Sequence, residues 1–221
     1  GRLAGYTAAM LAALDRARIG RFLVDGGGAA FNLGARFSVE EHVAHVERLA
    51  RHLAPLVRPG DRLVDLGCGS GILGFVGAMA FPDVHWTLVD ARAGAAAFAA
   101  RGVSDLGLGN VSVTCARAEA LARDDRHAYD GVVARRFGKP AHTAECGAPL
   151  LKLGGFLLVS DASLPENADP ARPPEDRWPA EGLALLGLCV EARWLDHLVV
   201  RAAAACDAKF PRSKRLKKHL F

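Results

Sequence analysis

The stretch Leu63-Val64-Asp65-Leu66-Gly67-Cys68-Gly69-Ser70-Gly71-Ile72-Leu73-Gly74-Phe75 decides the fold. It reads as a buried strand that carries an acid near its end and opens into a glycine turn. Gly67, Gly69 and Gly71 let the main chain take positive φ and approach a ligand closely. Ile72 then starts an apolar helix whose N-terminus favours a carboxylate or phosphate. The turn therefore binds something through its backbone. Gly69-x-Gly71-x-x-Gly74 satisfies the dinucleotide pattern, and Asp90 stands near the distance expected of a ribose-binding acid. Asp65 argues otherwise, because a carboxylate two residues before the first glycine crowds a pyrophosphate and suits a cationic ligand.

S-adenosylmethionine is such a ligand, with a sulfonium and an ammonium group. The string Asp65-x-Gly67-x-Gly69-x-Gly71 resembles the class I methyltransferases at this point, and it favours that cofactor over the alternative, a nicotinamide or flavin dinucleotide. Cys68, Ile72 and Ala91 belong to the same expected cofactor set as neighbours of the glycines and of Asp90.

Working outward from the turn, strand and helix patterns alternate. Strands are expected over residues 63–66, 84–89, 111–115, 131–134 and 156–160, with helices over 72–80 and 93–106. A closing pair of strands follows over 188–193 and 197–203. Strands separated by helices specify a parallel, doubly wound sheet, here of seven strands and mostly parallel, in an α/β protein. Ahead of it, residues 6–19 have helical spacing and Gly26-Gly27-Gly28 a linker composition. Ser38-Val39-Glu40-Glu41 is a capping box, and Val43, Val46, Leu49, Ala50 and Leu53 follow at helical steps. Leu153-Gly154-Gly155 reads as a turn, and residues 163–179, rich in proline, as a surface loop. The expected organisation is an N-terminal helical cap (1–54), a cofactor-binding core (55–206) and a basic C-terminal tail (207–221).

A chain of 221 residues with 51% hydrophobic and 24% charged content is long enough for one well-buried domain with an appendage, which excludes a disordered chain. Its five cysteines are widely spaced, odd in number and never in a C-x-x-C pair, so they read as reduced thiols of a cytoplasmic protein. No apolar stretch reaches the length of a membrane span, so no membrane partner is expected. Gly1 rather than Met begins the chain, so residues are expected ahead of it. The net charge of +4 is uneven: residues 208–221 hold Lys209, Arg212, Lys214, Arg215, Lys217 and Lys218 with no acid, leaving the remainder at −2. A polyanion-binding tail fits nucleic acid, against the plainer reading of a solvated, frayed end.

Ligands of doubly wound sheets bind beyond the carboxyl ends of the strands. Asp65 and the glycines follow the first strand and Asp90 the second, where it can accept hydrogen bonds from ribose hydroxyls. Ala118-Glu119 follow the third, within reach of an adenine ring, and Arg135 the fourth. Taken singly, Asp90 could be a helix cap, Glu119 a solvated charge and Arg135 an ion-pair partner. His42, His45 and His52 share one helix, but no acid or cysteine is fixed beside them and that helix must turn its Val and Leu face inward, so no metal is expected.

The resemblance extends beyond the turn. Phe31-Asn32-Leu33, residues 65–74, Leu88-Val89-Asp90, Phe98, Arg117-Ala118-Glu119-Ala120-Leu121, Val133-Ala134-Arg135, residues 149–155 and Phe210-Pro211-Arg212 occur in the order seen in the small-subunit ribosomal RNA guanine-N7 methyltransferases, once called the glucose-inhibited division protein B family. Residues 134–146 resemble an actinobacterial branch. This implies S-adenosylmethionine as donor, N7 of a guanine in 16S ribosomal RNA as acceptor, and cofactor contacts at Gly67, Ile72, Ala118, Glu119 and Arg135. Ribosomal RNA or the small subunit is the implied partner of a monomeric enzyme, with Arg135 and Asn32 as candidates for positioning the base. The chain departs from the family where an Arg-His-x-x-Asp-Ser stretch is usual (Ala44-His45-Val46-Glu47-Arg48-Leu49-Ala50), at Gly94 in place of a common lysine, and in the shortened rhythm of the tail. Those departures bear on the acceptor. They keep two alternatives in play: a methyltransferase acting on a small molecule, and a catalytically silent RNA- or cofactor-binding module.

Overall fold

Leu63, Val64 and Leu66 are fully buried, and the strand they form is one of seven. The computed structural model describes residues 13–25, 39–160, 177–194, 197–212 and 220–221. In chain order the elements are α1 (Ala13–Asp25), α2 (Val39–Leu53), β1 (Arg62–Leu66), α3 (Ile72–Ala80), β2 (His85–Asp90), α4 (Ala93–Leu106), β3 (Val111–Cys115), α5 (Ala118–Asp124), β4 (Tyr129–Arg135), α6 (Pro140–Gly147), β5 (Leu151–Ser160), α7 (Ala180–Ala184), β6 (Leu188–Arg193) and β7 (His197–Ala202). A single 3-10 turn (Ala148–Leu150) leads into β5. The strands hydrogen-bond in the order β3-β2-β1-β4-β5-β7-β6, with β7 antiparallel to both of its neighbours, which is the seven-stranded, mostly parallel sheet the alternation specifies. Contacts group the chain into two units, Gly1–Ala116 and Arg117–Phe221.

In the first unit β1, β2 and β3 are parallel, with Asp65 opposite Leu88 and Asp90 opposite Cys115. Helix α3 lies so close to β2 that only glycine fits at two of its positions: a Cβ on Gly74 would fall inside the Leu88 side chain, and one on Gly77 inside the Trp86 ring. Gly102 of α4 likewise admits the rings of Phe75 and Phe22. Helix α2 buries Val43, Val46, Leu49, Ala50 and Leu53, the stripe its spacing predicts. Burying each of these valines and leucines contributes about 1.5–3 kcal/mol.

Helix α1 runs to Asp25, six residues past the end expected from the pattern. Ile19, Phe22 and Leu23 continue its apolar stripe at three- and four-residue steps, and all three are buried. It is tied down at both flanks: Arg16 Nε donates to Glu47 Oε1 of α2 at 2.6 Å, and Arg18 Nη2 to the Leu106 carbonyl at the end of α4 at 2.6 Å. The last carbonyls of α4 are otherwise met by the amides of Gly107 (φ +69°) and Leu108, the usual way a left-handed glycine closes a helix.

In the second unit β4 and β5 are parallel, and Gly131 leaves room for the Phe156 ring opposite it. The sequence Leu153-Gly154-Gly155, read above as a turn, lies inside β5, which begins at Leu151. The turn signal nonetheless has a physical counterpart, because Gly154 has φ +76° and the register with β4 shifts between Tyr129 and Gly131. Helices α5, α6 and α7 are short elements that the periodicity did not reveal. The Arg126 guanidinium donates to the carbonyls of Phe210, Cys206 and Asp207 at 2.6, 2.7 and 3.2 Å, and so holds residues 206–210.

Candidate functional site

The glycine turn follows β1 without a break. Gly67, Gly69 and Gly71 have φ values of +71°, +56° and +78°, left-handed geometry that an L side chain takes only at a cost of about 1–2 kcal/mol. The amides of Gly67 and Cys68 both donate to the Val89 carbonyl, at 2.8 and 2.9 Å, which fixes the turn against the end of β2. Gly71 opens α3: its carbonyl accepts from the Phe75 amide at 2.9 Å, and a Cβ at this position would run into the Phe75 ring. Ile72, the first helical residue, is buried. Asp65, two residues before the turn, is only 2% exposed.

At the end of β2, Asp90 reaches back to the same turn. Its Oδ2 accepts from the Gly69 amide at 3.0 Å, and its Oδ1 from the Arg92 amide at 2.9 Å. The Arg92 side chain adds Nε to Oδ1 at 3.2 Å and Nη2 to Oδ2 at 3.4 Å. Burial alone would raise the Asp90 carboxyl. Hydrogen bonds from the Arg92 side chain and from the two amides outweigh it and hold the group below the usual carboxylate range. Between the two acids sits Cys68, whose thiol is pushed far up by burial and then by the negative charges of Asp65 and Asp90. That thiol stays protonated, so Cys68 lines the turn as a small apolar group rather than a nucleophile. Asp65, Gly67, Cys68, Gly69, Gly71, Ile72, Asp90 and the exposed Ala91 thus converge within one unit.

Ala118, Glu119 and Arg135 belong to the other unit. Ala118 is the first residue of α5 and is buried, with Arg117 in extended conformation before it, and Glu119 is half-buried in the first turn. Arg135 ends β4, half-buried, in register with Ser160 of β5. Arg136 after it has φ +55°, a conformation rare for a residue with a side chain.

Of the six tail cations, Lys209 and Arg212 are described, and both are engaged. Lys209 Nζ lies 3.1 Å from Asp207 Oδ2. Arg212 donates its amide and Nε to Glu145 Oε1 at 2.6 and 2.9 Å, and Nη2 to Oε2 at 2.9 Å. These bonds tie Arg212, a candidate RNA contact, to α6 at the start of the tail; the Glu145 partner is 67 residues away in sequence and could not be paired with it by pattern. Lys214, Arg215, Lys217, Lys218 and Asn32 lie outside the described residues. Among the described residues no three His, Cys, Asp or Glu side chains converge as metal ligands, and no helix is long and apolar enough to cross a membrane. Of the three histidines on α2, His42 is buried, whereas His45 Nδ1 lies 3.2 Å from Arg48 Nη2. Arg92 went unnoticed in the sequence. Its signal was its place two residues after the strand-end acid, at the entry to α4.

This strand order with a glycine turn after β1 and an acid at the end of β2 defines the class I methyltransferase fold. A solved structure of the CurJ carbon methyltransferase has the same fold, with TM-score 0.54 and 14% identity over 73% of this chain and 54% of that one. The profile of the rRNA small subunit methyltransferase G (GidB) family matches residues 23–168, and the chain belongs to that family. It is 33% identical to ribosomal RNA small subunit methyltransferase G of Neisseria gonorrhoeae over 66% of this chain and 69% of that protein. With the protein of the same name from Roseiflexus castenholzii it shares 39% identity over 47% of this chain and 45% of that one. The chain spans about half the length of several curated relatives it matches.

Proposed function

We propose that this protein is an S-adenosylmethionine-dependent methyltransferase whose acceptor is N7 of a guanine in 16S ribosomal RNA. The observation that carries the reading is the joint placement of Asp65, the three left-handed glycines and Asp90 in a member of this family. The residues suit that cofactor. A buried Asp65 at a strand end favours a cationic ligand, Gly69 leaves the backbone bare beside Asp90, and Asp90 carries acceptor oxygens for a ribose diol. Ala118 and Glu119 are assigned to the adenine, and Arg135 to the reacting end, by their match to the family motifs.

When bound, the cofactor supplies an electrophilic methyl group on sulfur. Guanine N7 offers a free lone pair and carries no proton, so no side chain has to act as a base. The chain's task is to hold donor and acceptor in line and to exclude water, which is the proximity contribution to catalysis. Arg135 is the candidate for orienting the base. A-form RNA hides N7 in a deep, narrow groove, so the target is a looped or splayed nucleotide, with cations of the 207–221 tail on neighbouring phosphates. On this reading the partner is ribosomal RNA or the small subunit, the compartment is the cytoplasm and the working unit a monomer. Residues 55–206 act as the cofactor-binding core and residues 1–54 as its cap.

The deciding experiment is transfer of labelled methyl from S-adenosylmethionine to isolated small subunits, to naked 16S RNA and to a metabolite extract. Label in the RNA, at a guanine, is the expected result. Label only in a small molecule, which Gly94 in place of the usual lysine would favour, replaces the acceptor but keeps the donor. Binding of the cofactor without transfer to any of the three leaves a silent binding module.

A further inference from the structure

The structure assigns Arg92 a role as resident competitor for the ribose subsite: its guanidinium occupies the carboxylate oxygens of Asp90 that a ribose diol must use. This rests on the reading of Asp90 as the ribose acceptor. A carboxylate offers about four lone-pair positions, and at Asp90 all four are taken. Two donors are backbone amides, Gly69 to Oδ2 at 3.0 Å and Arg92 to Oδ1 at 2.9 Å. They belong to the glycine turn and to the entry of α4, so they cannot leave without dismantling the site. The other two donors are Nε and Nη2 of Arg92, at 3.2 and 3.4 Å, on a side chain 55% exposed. They are the longer bonds, and they are free to go.

The geometry is one of mimicry. A cis diol brings two O–H donors side by side to one carboxylate, and the Nε/Nη2 edge of a guanidinium does the same. The guanidinium also lies over the backbone left bare at Gly69, where Arg92 Nη2 is 4.0 Å from the position a Cβ would take. Ribose therefore arrives at a site already filled by a charged donor and exchanges with it. The amides of Gly69 and Arg92 remain, keeping Asp90 ionised and aimed, while the released side chain turns to solvent. An exposed ion pair of this kind is modest in strength, so it tunes affinity without closing the site.

The probe is S-adenosylhomocysteine, which carries the same ribose and no net charge, titrated calorimetrically into the full chain at about 0.05 M and about 0.5 M salt. Arg92→Ala and Arg92→Gln are each expected to bind it roughly two- to fivefold more tightly than the parent protein at the lower salt. Salt should tighten binding to the parent by weakening the Arg92 pair and leave both variants nearly unchanged. In parallel, the Nε–H resonance of Arg92 should move towards the free-guanidinium position and exchange faster as the ligand saturates the site. Equal or weaker binding by both variants, or an Arg92 resonance unmoved at saturation, overturns the proposal. Asp90→Ala separates this from the underlying reading. If it binds S-adenosylhomocysteine as well as the parent does, ribose is held elsewhere and the assignment of Asp90 falls, taking Arg92 with it. If only the Arg92 results go the other way, the cofactor site stands and the competitor does not.

Discussion

Glu145 of α6 grips Arg212 with both carboxylate oxygens, three hydrogen bonds across 67 residues of sequence. The pair is largely shielded, with side-chain exposures of 11% for Glu145 and 23% for Arg212. Removing one partner of a shielded, hydrogen-bonded pair strands the other. Glu145→Gln should therefore lower stability by roughly 1–3 kcal/mol, read as the free energy of urea unfolding. Burial would raise the Glu145 carboxyl, but the Arg212 side chain and amide hold it below its ordinary value of 4.5. Its folded value is thus depressed, so its contribution is complete above about pH 4.5 and drains away as pH falls through that lower value. The gap between parent and Glu145→Gln should be constant near neutrality and should narrow below pH 4.5; a gap that widens in acid would contradict the pairing.

The tail separates into an anchor and a run of charge. Arg212 is committed to Glu145, and the Phe221 ring lies where a Cβ on Gly182 of α7 would stand. Deleting the tail from Lys209 onward therefore removes packing as well as charge. Replacing Lys214, Arg215, Lys217 and Lys218 by glutamine removes charge and keeps both attachments. The expected outcome is weaker binding to 16S RNA, with the slope of log affinity against log salt reduced by up to about 3 if all four cations meet phosphates. Unfolding free energy and S-adenosylhomocysteine affinity should not change. An unaltered salt slope, measured by filter binding, would leave the run without a role on RNA.

How much of this was legible follows from what each residue needs for its recognition. The apolar stripe of α2 and the strand-turn-helix of β1 and α3 are local patterns, and they stand in the structure as read. Helix α6 left no stripe because it is buried nearly all round, from Ala141 to Gly147, and α5 has only seven residues, three of them charged. Asp65 and Asp90 were legible as strand-end acids because their spacing is tied to the ends of β1 and β2. Arg92 and Arg212 were not, because what a guanidinium does depends on which carboxylate the fold brings to it. The same holds for the Arg126 clamp, whose acceptors are carbonyls 80 and more residues away.

The glycines of the turn are not equivalent, and the difference is measurable. At Gly69 a Cβ would meet nothing nearer than the Gly67 carbonyl at 3.9 Å, so Gly69→Ala bears only the cost of φ +56°, about 1–2 kcal/mol. At Gly71 the same left-handed cost is joined by collision with the Phe75 ring, and overpacking adds about 1–3 kcal/mol. Gly74 has no φ requirement but faces Leu88, so Gly74→Ala bears the overpacking alone. Gly71→Ala should thus be the least stable of the three in urea unfolding. A ranking with Gly69→Ala lowest would show that the Phe75 ring moves aside at little cost.

Asn110 provides a control for the far end of the sheet. Just before β3, its Nδ2 donates to the carbonyls of Ala78, Phe81 and Val84 at 3.1, 3.3 and 3.0 Å, gathering the end of α3 and the approach to β2 around one amide. Asn110→Ala removes that donor and should cost about 1–2 kcal/mol, as for carbonyls left short of a partner. Asn110→Asp is the sharper test, because it has nearly the same shape and sets a carboxylate against three carbonyl oxygens. It should be the less stable of the two variants above pH 5 and should recover towards the alanine variant as the carboxyl protonates in acid. Both substitutions lie at the amino ends of the strands, away from Asp65 and Asp90 at the carboxyl ends. S-adenosylhomocysteine affinity, measured where both variants remain folded, should therefore equal that of the parent. A loss of affinity in step with the loss of stability would mean that the glycine turn depends on the α3–β2 connection as well as on Val89.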